Sequence, residues 1–584
     1  MKSSNRNLRV LLTLILTLAM MITMLAGCGN SPKASDSTGA AGATANTTAA
    51  SGSAAATATT ETNSEVDTSS PYGKYKKPVE LSVLSLDFKG NIQFDSSNPE
   101  RKSASENMWI NAYSEYLNIK VDRRIAEDKT ALNAVINTSM ASGTLPDVMI
   151  VPKEMFYVLV ENGVCADLKE SYESYVGSYG KLLGECVSSS KDALKKGTAD
   201  GKLLGFPDIQ GAYNETEVLW IRQDWLDAVK MKLPATVDEM LDVARAFKKA
   251  KLGGEKTVGL GLHFATEPGS TSESVSLQTI MAPYGAVLGT WQKDQTGNYV
   301  YANTADAVKT GLIELQKLYA EGIIKSDFAV GNNKNFKEEV ANGLVGMYYG
   351  ASNEGNGGVK SNLLNDPKAN WTVCRIPTLN GEIVPQYTND AINNFYVVNK
   401  KYNHPEAIFK MLQLEMHMCK DATAEETAKY YMCPDNYPAW YLRVFKTFDA
   451  ADNPLKLGVL INEGLSKKAE HIDPASDGAY QNVLQGLAGN REKYGYVLIY
   501  TVARPIVLDI YNNHRDMLVS AYDGPITKNM TLYQSTINEA LKNAMLQVVM
   551  GADISVFDKA VKTWYSTGGQ AITDDVNNYY KNQK

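Results

Sequence analysis

Histidine is scarce. The chain has five in 584 residues, His263, His404, His417, His471 and His514. None falls in an H-E-x-x-H or H-x-H pattern, so the paired imidazoles of a zinc hydrolase are missing. A G-x-S-x-G elbow and a G-x-x-x-x-G-K-[ST] phosphate loop are also lacking. Gly254-Glu-Lys-Thr257 has no adjacent Gly-Lys pair, and Gly355-Asn-Gly-Gly358 follows no strand–helix pattern and reads as a loop. An excess of basic charge is absent too: 58 Lys and Arg stand against 65 Asp and Glu, a net charge of −7 spread without blocks. Nucleic acid therefore finds no basic stripe. Of the six cysteines, Cys165, Cys186, Cys374, Cys419 and Cys433 remain once Cys28 is set aside. An odd number cannot all pair, and none stands in C-x-x-C. They read as small buried hydrophobes, with a Cys165–Cys186 or Cys419–Cys433 bridge left open. No repeat of 20–50 residues suggests a solenoid.

What is present begins at the N-terminus. Lys2, Arg6 and Arg9 precede an apolar run, Val10 to Leu25, that ends in Leu25-Ala26-Gly27-Cys28. At about 17 residues the run is near the lower limit for a membrane span, and small residues followed by cysteine come at once. This pattern resembles the bacterial lipobox, which implies lipidation of Cys28 and loss of residues 1–27 as a signal peptide. Two or more acyl chains hold a protein firmly where one does not. Residues 28–77 are expected to form the lipidated cysteine and a disordered linker. Up to about Ser70 it is Ser, Thr, Ala and Gly, too poor in large apolar residues to offset its chain entropy.

The remaining chain, about 500 residues, suggests more than one core. Leu81–Leu86 mostly alternates as a strand, Asn107–Leu117 reads as a helix, and Ile119–Ile125 is strand-like. Ala131–Met140 is helical, and Asp147–Pro152 is a short apolar run suited to a buried parallel strand. That alternation argues for an α/β layer fold. Leu219–Ile221, Gly346–Tyr349 and Phe395–Val398 are further strands. Thr236-Val-Asp-Glu239 is a capping box ahead of the apolar stripe Met240, Val243, Ala244 and Phe247. The last hundred or so residues look helical. Tyr (32) and Trp (7) outnumber Phe (13); rings with polar tips suit binding surfaces, although ordinary packing accounts for most of them.

Several stretches, in order, resemble extracellular solute-binding proteins of family 1, in particular LipO-like lipoproteins of ABC carbohydrate uptake systems. They include Met140-Ala-Ser-Gly-Thr-Leu-Pro-Asp147, Asp200-Gly-Lys-Leu-Leu-Gly-Phe-Pro207, Leu219-Trp-Ile-Arg-Gln-Asp-Trp-Leu226, Asn342-Gly-Leu-Val-Gly-Met347 and Gly524-Pro-Ile-Thr527. The resemblance implies a two-lobe, periplasmic-binding-protein-like α/β fold of type II, with a ligand cleft between lobes and a helical C-terminal region. Lobe 1 is expected to comprise 78–207 plus about 391–450, and lobe 2 208–390 plus about 451–584. It further implies a monomeric receptor at the outer face of the cell membrane that delivers a carbohydrate to ABC permease subunits, with no enzymatic step. Receptors for peptides or charged solutes, and a surface glycosidase using two cleft carboxylates, stay as alternatives. Some relatives carry a calcium loop after the helix that here ends near Ala250. Lys251–Thr257 lacks the oxygen ligands for it, so neither a metal nor a cofactor is expected.

Open α/β sheets bind ligands beyond the carboxyl ends of their strands, and carboxylates and amides suit sugar hydroxyls. On that basis the candidates are Asp87 and Lys89 after the first strand, Lys153 and Glu154 after Pro152, and Asp208 and Gln210 after Phe206-Pro207. His263 and Glu267, Tyr349 and Asn353, and Asp390 and Asn393 complete the set, with Asn394 beside them. Arg222 reaches the cleft or pairs with an acid, Asp224 caps the next helix, and Trp225 packs in the core.

Overall fold

The computed structural model describes residues 66–86, 92–190, 193–262, 277–329, 333–388, 391–435, 437–445, 450–519 and 522–582. Cys28 and five of the candidates, Asp87, Lys89, His263, Glu267 and Asp390, lie outside the described residues. Thr62–Lys584 forms one compact unit. It contains both apolar cores.

The strands of the two larger sheets are, in chain order, β1 (Val79–Leu86), β2 (Ile119–Ala126), β3 (Val148–Pro152), β4 (Phe206–Ile209), β5 (Glu217–Arg222), β6 (Val258–Gly261), β7 (Val345–Ala351), β8 (Trp371–Cys374) and β9 (Ile392–Val398). One sheet runs β2-β1-β3-β9-β4, the other β8-β5-β7-β6. In the first, β1 is parallel to β2 and β3, whereas β9 is antiparallel to β3 and β4. In the second, β7 is parallel to β6 and antiparallel to β5. Each sheet has its own apolar core. The first gathers side chains from Tyr72 to Ala212 and from Ala391 to Ala451. The second gathers those from Val218 to Ile376 and from Leu455 to Val576. This is the expected two-lobe α/β architecture.

Local signals read from the sequence act as physics requires. The Thr236 hydroxyl accepts from the Glu239 amide at 3.3 Å while Glu239 takes the Thr236 amide at 3.1 Å. The helix Val237–Ala250 that follows buries Met240, Val243, Ala244 and Phe247. Gly346 is required by close packing, since a Cβ there would stand 2.4 Å from Phe247 and 2.7 Å from Trp225. The C-terminal helices include Ser535–Val549 and Ser555–Trp564. All five remaining cysteines are free, so neither bridge left open forms. Burial pushes the Cys165 and Cys374 thiols up to about 12, which leaves them poor nucleophiles.

The last part of the stretch expected to be linker is structured. Val66 bridges Tyr75, and Tyr72 and Tyr75 are buried in lobe 1. The Tyr75 hydroxyl donates to Glu406 at 2.6 Å, and the Lys410 ammonium donates to the Gly73 carbonyl at 2.6 Å. Two tyrosines past Ser70 supply the apolar surface that the Ser/Thr/Ala run cannot.

Lobe 1 also buries an acid. Glu415 accepts from the Tyr113 hydroxyl and, at 3.2 Å, from the Phe445 amide. Burial pushes its carboxyl up to about 7 from 4.5, a rise tempered by nearby Arg443 and by these hydrogen bonds. The folded protein thus keeps a proton where the unfolded chain has lost it. Stability should therefore fall as pH climbs from about 4.5 towards 7 and level off above, by up to about 3 kcal/mol. Urea titrations at several pH values should show this slope, and Glu415→Gln should flatten it; an unchanged slope in the variant would assign it to another group.

Candidate functional site

Strand register decides which loops meet. In lobe 1, Asn394 of β9 pairs with Pro152 of β3 and with Asp208 of β4. The carboxyl ends of β3 and β4 and the start of β9 therefore share one edge of the sheet. In lobe 2, Glu217 of β5 pairs with Ala351 of β7, so the start of β5 and the carboxyl end of β7 share an edge. The chain passes from β4 to β5 through residues 210–216, a segment too short to connect anything but facing edges. The crossings between lobes are pinned to each other. The Gln210 amide donates to Ala391 at 2.7 Å, and the Ala212 amide donates to Ala451 at 2.8 Å. The hydroxyls of Thr216 and Thr388 lie 3.2 Å apart. The Arg504 guanidinium, buried in lobe 2, donates to the Pro454 carbonyl at 2.6 Å and to the Asn214 side chain at 3.0 Å.

Asp208 is the centre of this edge. It is buried at 2% exposure. One carboxylate oxygen accepts from the Tyr396 hydroxyl at 2.6 Å; the other accepts from the Gln210 amide at 3.1 Å and the Asn394 amide at 3.3 Å. Burial and this carboxylate push the Tyr396 hydroxyl far above its usual range, so it stays a donor. Asp208 is too enclosed to meet a solute, but it aims the Gln210 and Asn394 side chains, both partly exposed. Asn393 is exposed beside them, at a register shift between Ile392 and Asn394. Glu154 is exposed in the first turn of the helix Lys153–Glu161 that leaves β3. Asn353, half-buried, begins the short turn after β7. Lys153 starts the helix at the same edge, and its ammonium donates to the Tyr522 carbonyl of lobe 2 at 3.2 Å.

Three candidates are corrected, since Arg222 and Tyr349 join Asp208 in being enclosed. Arg222 is 2% exposed and ends β5. Five residues at roughly 3.3 Å each put it some 16 Å along the strand from Glu217, at the edge away from the crossings. Its guanidinium is engaged by Asp224 at 2.6 and 2.8 Å and by Asp366 at 3.2 Å. Asp224 accordingly pairs with Arg222 and accepts the Asn370 amide instead of capping the helix; Trp225 is in the core as expected. Tyr349 is also buried, its hydroxyl against the Met240 sulfur at 3.1 Å. Sequence reasoning missed Tyr396, Lys196, Tyr522 and Asp523 at the seam. A signal existed for the last two, which directly precede Gly524-Pro-Ile-Thr527.

Among the described residues no group of three or more His, Cys, Asp or Glu stands ready to hold a metal. In the Lys251–Thr257 segment, the Lys248 ammonium donates to the Thr257 carbonyl at 2.8 Å, and Lys251 pairs with Glu255 at 2.7 Å.

A sequence profile of bacterial extracellular solute-binding proteins matches residues 109–430. Lipoprotein LipO of Bacillus subtilis (strain 168) is 22% identical over 472 residues, 78% of this chain and 85% of LipO. The polygalacturonan/rhamnogalacturonan-binding protein YtcQ of the same organism is 26% identical over 222 residues, 37% of this chain; the match spans only 41% of YtcQ. Among solved structures, the Streptococcus pneumoniae ABC-transporter substrate-binding protein FusA in complex with kestose superposes with a TM-score of 0.54 at 13% identity, covering 87% of this chain and 100% of that one. A solute-binding protein from Bifidobacterium longum infantis gives a TM-score of 0.56 at 14% identity, covering 86% of this chain and 99% of that one. At these identities the structural likeness carries the architecture alone.

Proposed function

The chain belongs to the bacterial extracellular solute-binding protein family, and from that premise we propose that it is a lipid-anchored receptor that captures an oligosaccharide outside the cell and hands it to an ABC import permease. The observation that carries the carbohydrate reading is the amide group at the crossing edge. Gln210 and Asn394 are held by buried Asp208, and Asn393 is exposed next to Asn394 in the chain. Amides both donate and accept, which matches sugar hydroxyls, and the fixed carboxylate behind them sets their orientation. The relatives are consistent with this: YtcQ is a polygalacturonan/rhamnogalacturonan-binding protein, and FusA was solved with kestose.

Delivery without chemistry fits the same edge. The Asp208 carboxylate is buried and engaged by three donors of the protein itself, so it is not presented to a solute as an acid or base. Two lobes that close over a ligand need only a difference in affinity between open and closed forms. The Lys2-to-Cys28 leader and the tether that follows support anchoring at the outer face.

The test is thermal-shift screening of the chain from Thr62 against pectic and fructan oligosaccharides, with oligopeptides as the competing class. A sugar at 100 times its Kd should add about 2.7 kcal/mol, while the sugar is recovered uncleaved. Stabilisation by peptides alone, or release of smaller sugars, would defeat the proposal. In intact cells, Cys28→Ser should move the protein from the membrane fraction to the medium; retention on the membrane would remove the lipid anchor.

A further inference from the structure

We propose that the segment Tyr522–Asp523 of lobe 2 is a clasp which, without ligand, holds the lobes together through Lys153 and Lys196 of lobe 1. The lobe 2 half is a rigid socket. One Asp523 oxygen accepts from the Tyr580 hydroxyl at 3.0 Å. The Tyr580 ring stacks on Tyr299 at 4.0 Å, and the Tyr299 backbone is bonded in both directions, at 2.8 Å each, to the Asn577 side chain. The Tyr522 ring meets Tyr579 and Tyr580 edge-on at 5.5 and 5.9 Å. It folds back over Gly524, where a Cβ would stand 2.1 Å from the Tyr522 hydroxyl oxygen. Only glycine at 524 leaves room for this ring.

The lobe 1 half consists of two ammonium groups on long stems. Lys153 leaves the carboxyl end of β3, donates to the Tyr522 carbonyl at 3.2 Å, and lies 5.8 Å from the centre of its ring. Lys196 ends the short helix Ala193–Lys196 and stands 3.8 Å from the other Asp523 oxygen. The Lys196 and Asp523 side chains are only 21% and 28% exposed, so salt screens this pair less than it would a surface pair, yet not negligibly. Lys153 is therefore a positioning residue. It lies at the binding edge with its ammonium bonded across the seam, so a ligand can enter only when this contact has parted, and the lobes then close over it. The share of ligand-free molecules with the clasp parted therefore sets how fast a ligand is admitted.

The inference rests on reading the two cores as lobes that open and close, not on what they bind. It is tested by small-angle X-ray scattering of the ligand-free chain from Thr62 at about 0.05 M and about 0.5 M salt. The radius of gyration, near 24 Å for a folded chain of this length, should rise by roughly 1 Å at high salt as the lobes part. The Lys153→Met/Lys196→Met double variant should show the larger value at both salts, and Asp523→Asn should lose most of the salt response. A wild-type radius that ignores salt, together with a double variant that matches it, overturns the clasp. Should the double variant fail to fold, the wild-type salt series decides alone. A flat result leaves the carbohydrate reading intact, and a sugar screen without binding leaves the clasp intact.

Discussion

Arg222→Met is expected to lower the stability of lobe 2 by about 3 kcal/mol and to leave any sugar-induced stabilisation unchanged. The guanidinium makes a two-pronged pair with Asp224 and reaches Asp366 and, at 3.3 Å, the Asn362 side chain. It also lies 5.0 Å from the Trp225 ring centre and 5.9 Å from that of Trp371. Removing one partner of a buried pair typically costs 3–5 kcal/mol, because the other charge is left uncompensated. Here Asp224 and Asp366 keep 25% and 40% of their side-chain surface in water and recover some hydration, which places the cost at about the lower end of that range. The loss of contact with two indole faces adds to it. Arg222→Lys should rescue little, since an ammonium cannot reproduce the fork that grips both Asp224 oxygens. Chemical denaturation reads the loss. An Arg222→Met protein of unchanged stability would overturn the structural role, and one that folds normally but loses ligand binding would return Arg222 to the binding site.

The misplacement of Arg222 shows where sequence reasoning stops. That Leu219–Ile221 is a strand was legible from its apolar run, and the capping box at Thr236 was legible because its partners lie three residues apart. Counting residues beyond the carboxyl ends of strands brings Lys153, Glu154 and Gln210 to the crossing edge, because β3 and β4 end there. For Arg222, left between the cleft and an acid partner, the acid is decided by β5 running antiparallel to β7, which sends its carboxyl end to the opposite edge. Direction within a sheet depends on partners more than a hundred residues away, and no local pattern encodes it. Tyr349 failed for a related reason: every residue of β7 is buried, so alternation along the strand does not separate core from cleft. The clasp was illegible altogether, since Lys153 and Tyr522 are 369 positions apart in the chain.

Asp208→Ala should damage both stability and binding, and the two losses should separate by variant. The substitution leaves the Tyr396 hydroxyl without the acceptor it meets at 2.6 Å, inside a side chain that is fully enclosed. Loss of the acceptor of a buried hydroxyl costs about 1–3 kcal/mol. The Gln210 and Asn394 amides lose their common acceptor as well, although both are partly exposed and can turn to water. A total of about 2–4 kcal/mol follows. Binding should weaken by about tenfold for a sugar found in the screen, the equivalent of about 1.4 kcal/mol, because two amides held in one orientation become free to rotate. Tyr396→Phe isolates the structural part: it removes the buried hydroxyl and leaves the carboxylate to hold both amides. Calorimetry should then find affinity nearly unchanged in Tyr396→Phe and reduced in Asp208→Ala. Equal affinity in both variants would mean that the amides around Asp208 do not touch the ligand, and the site would have to be sought elsewhere along the seam.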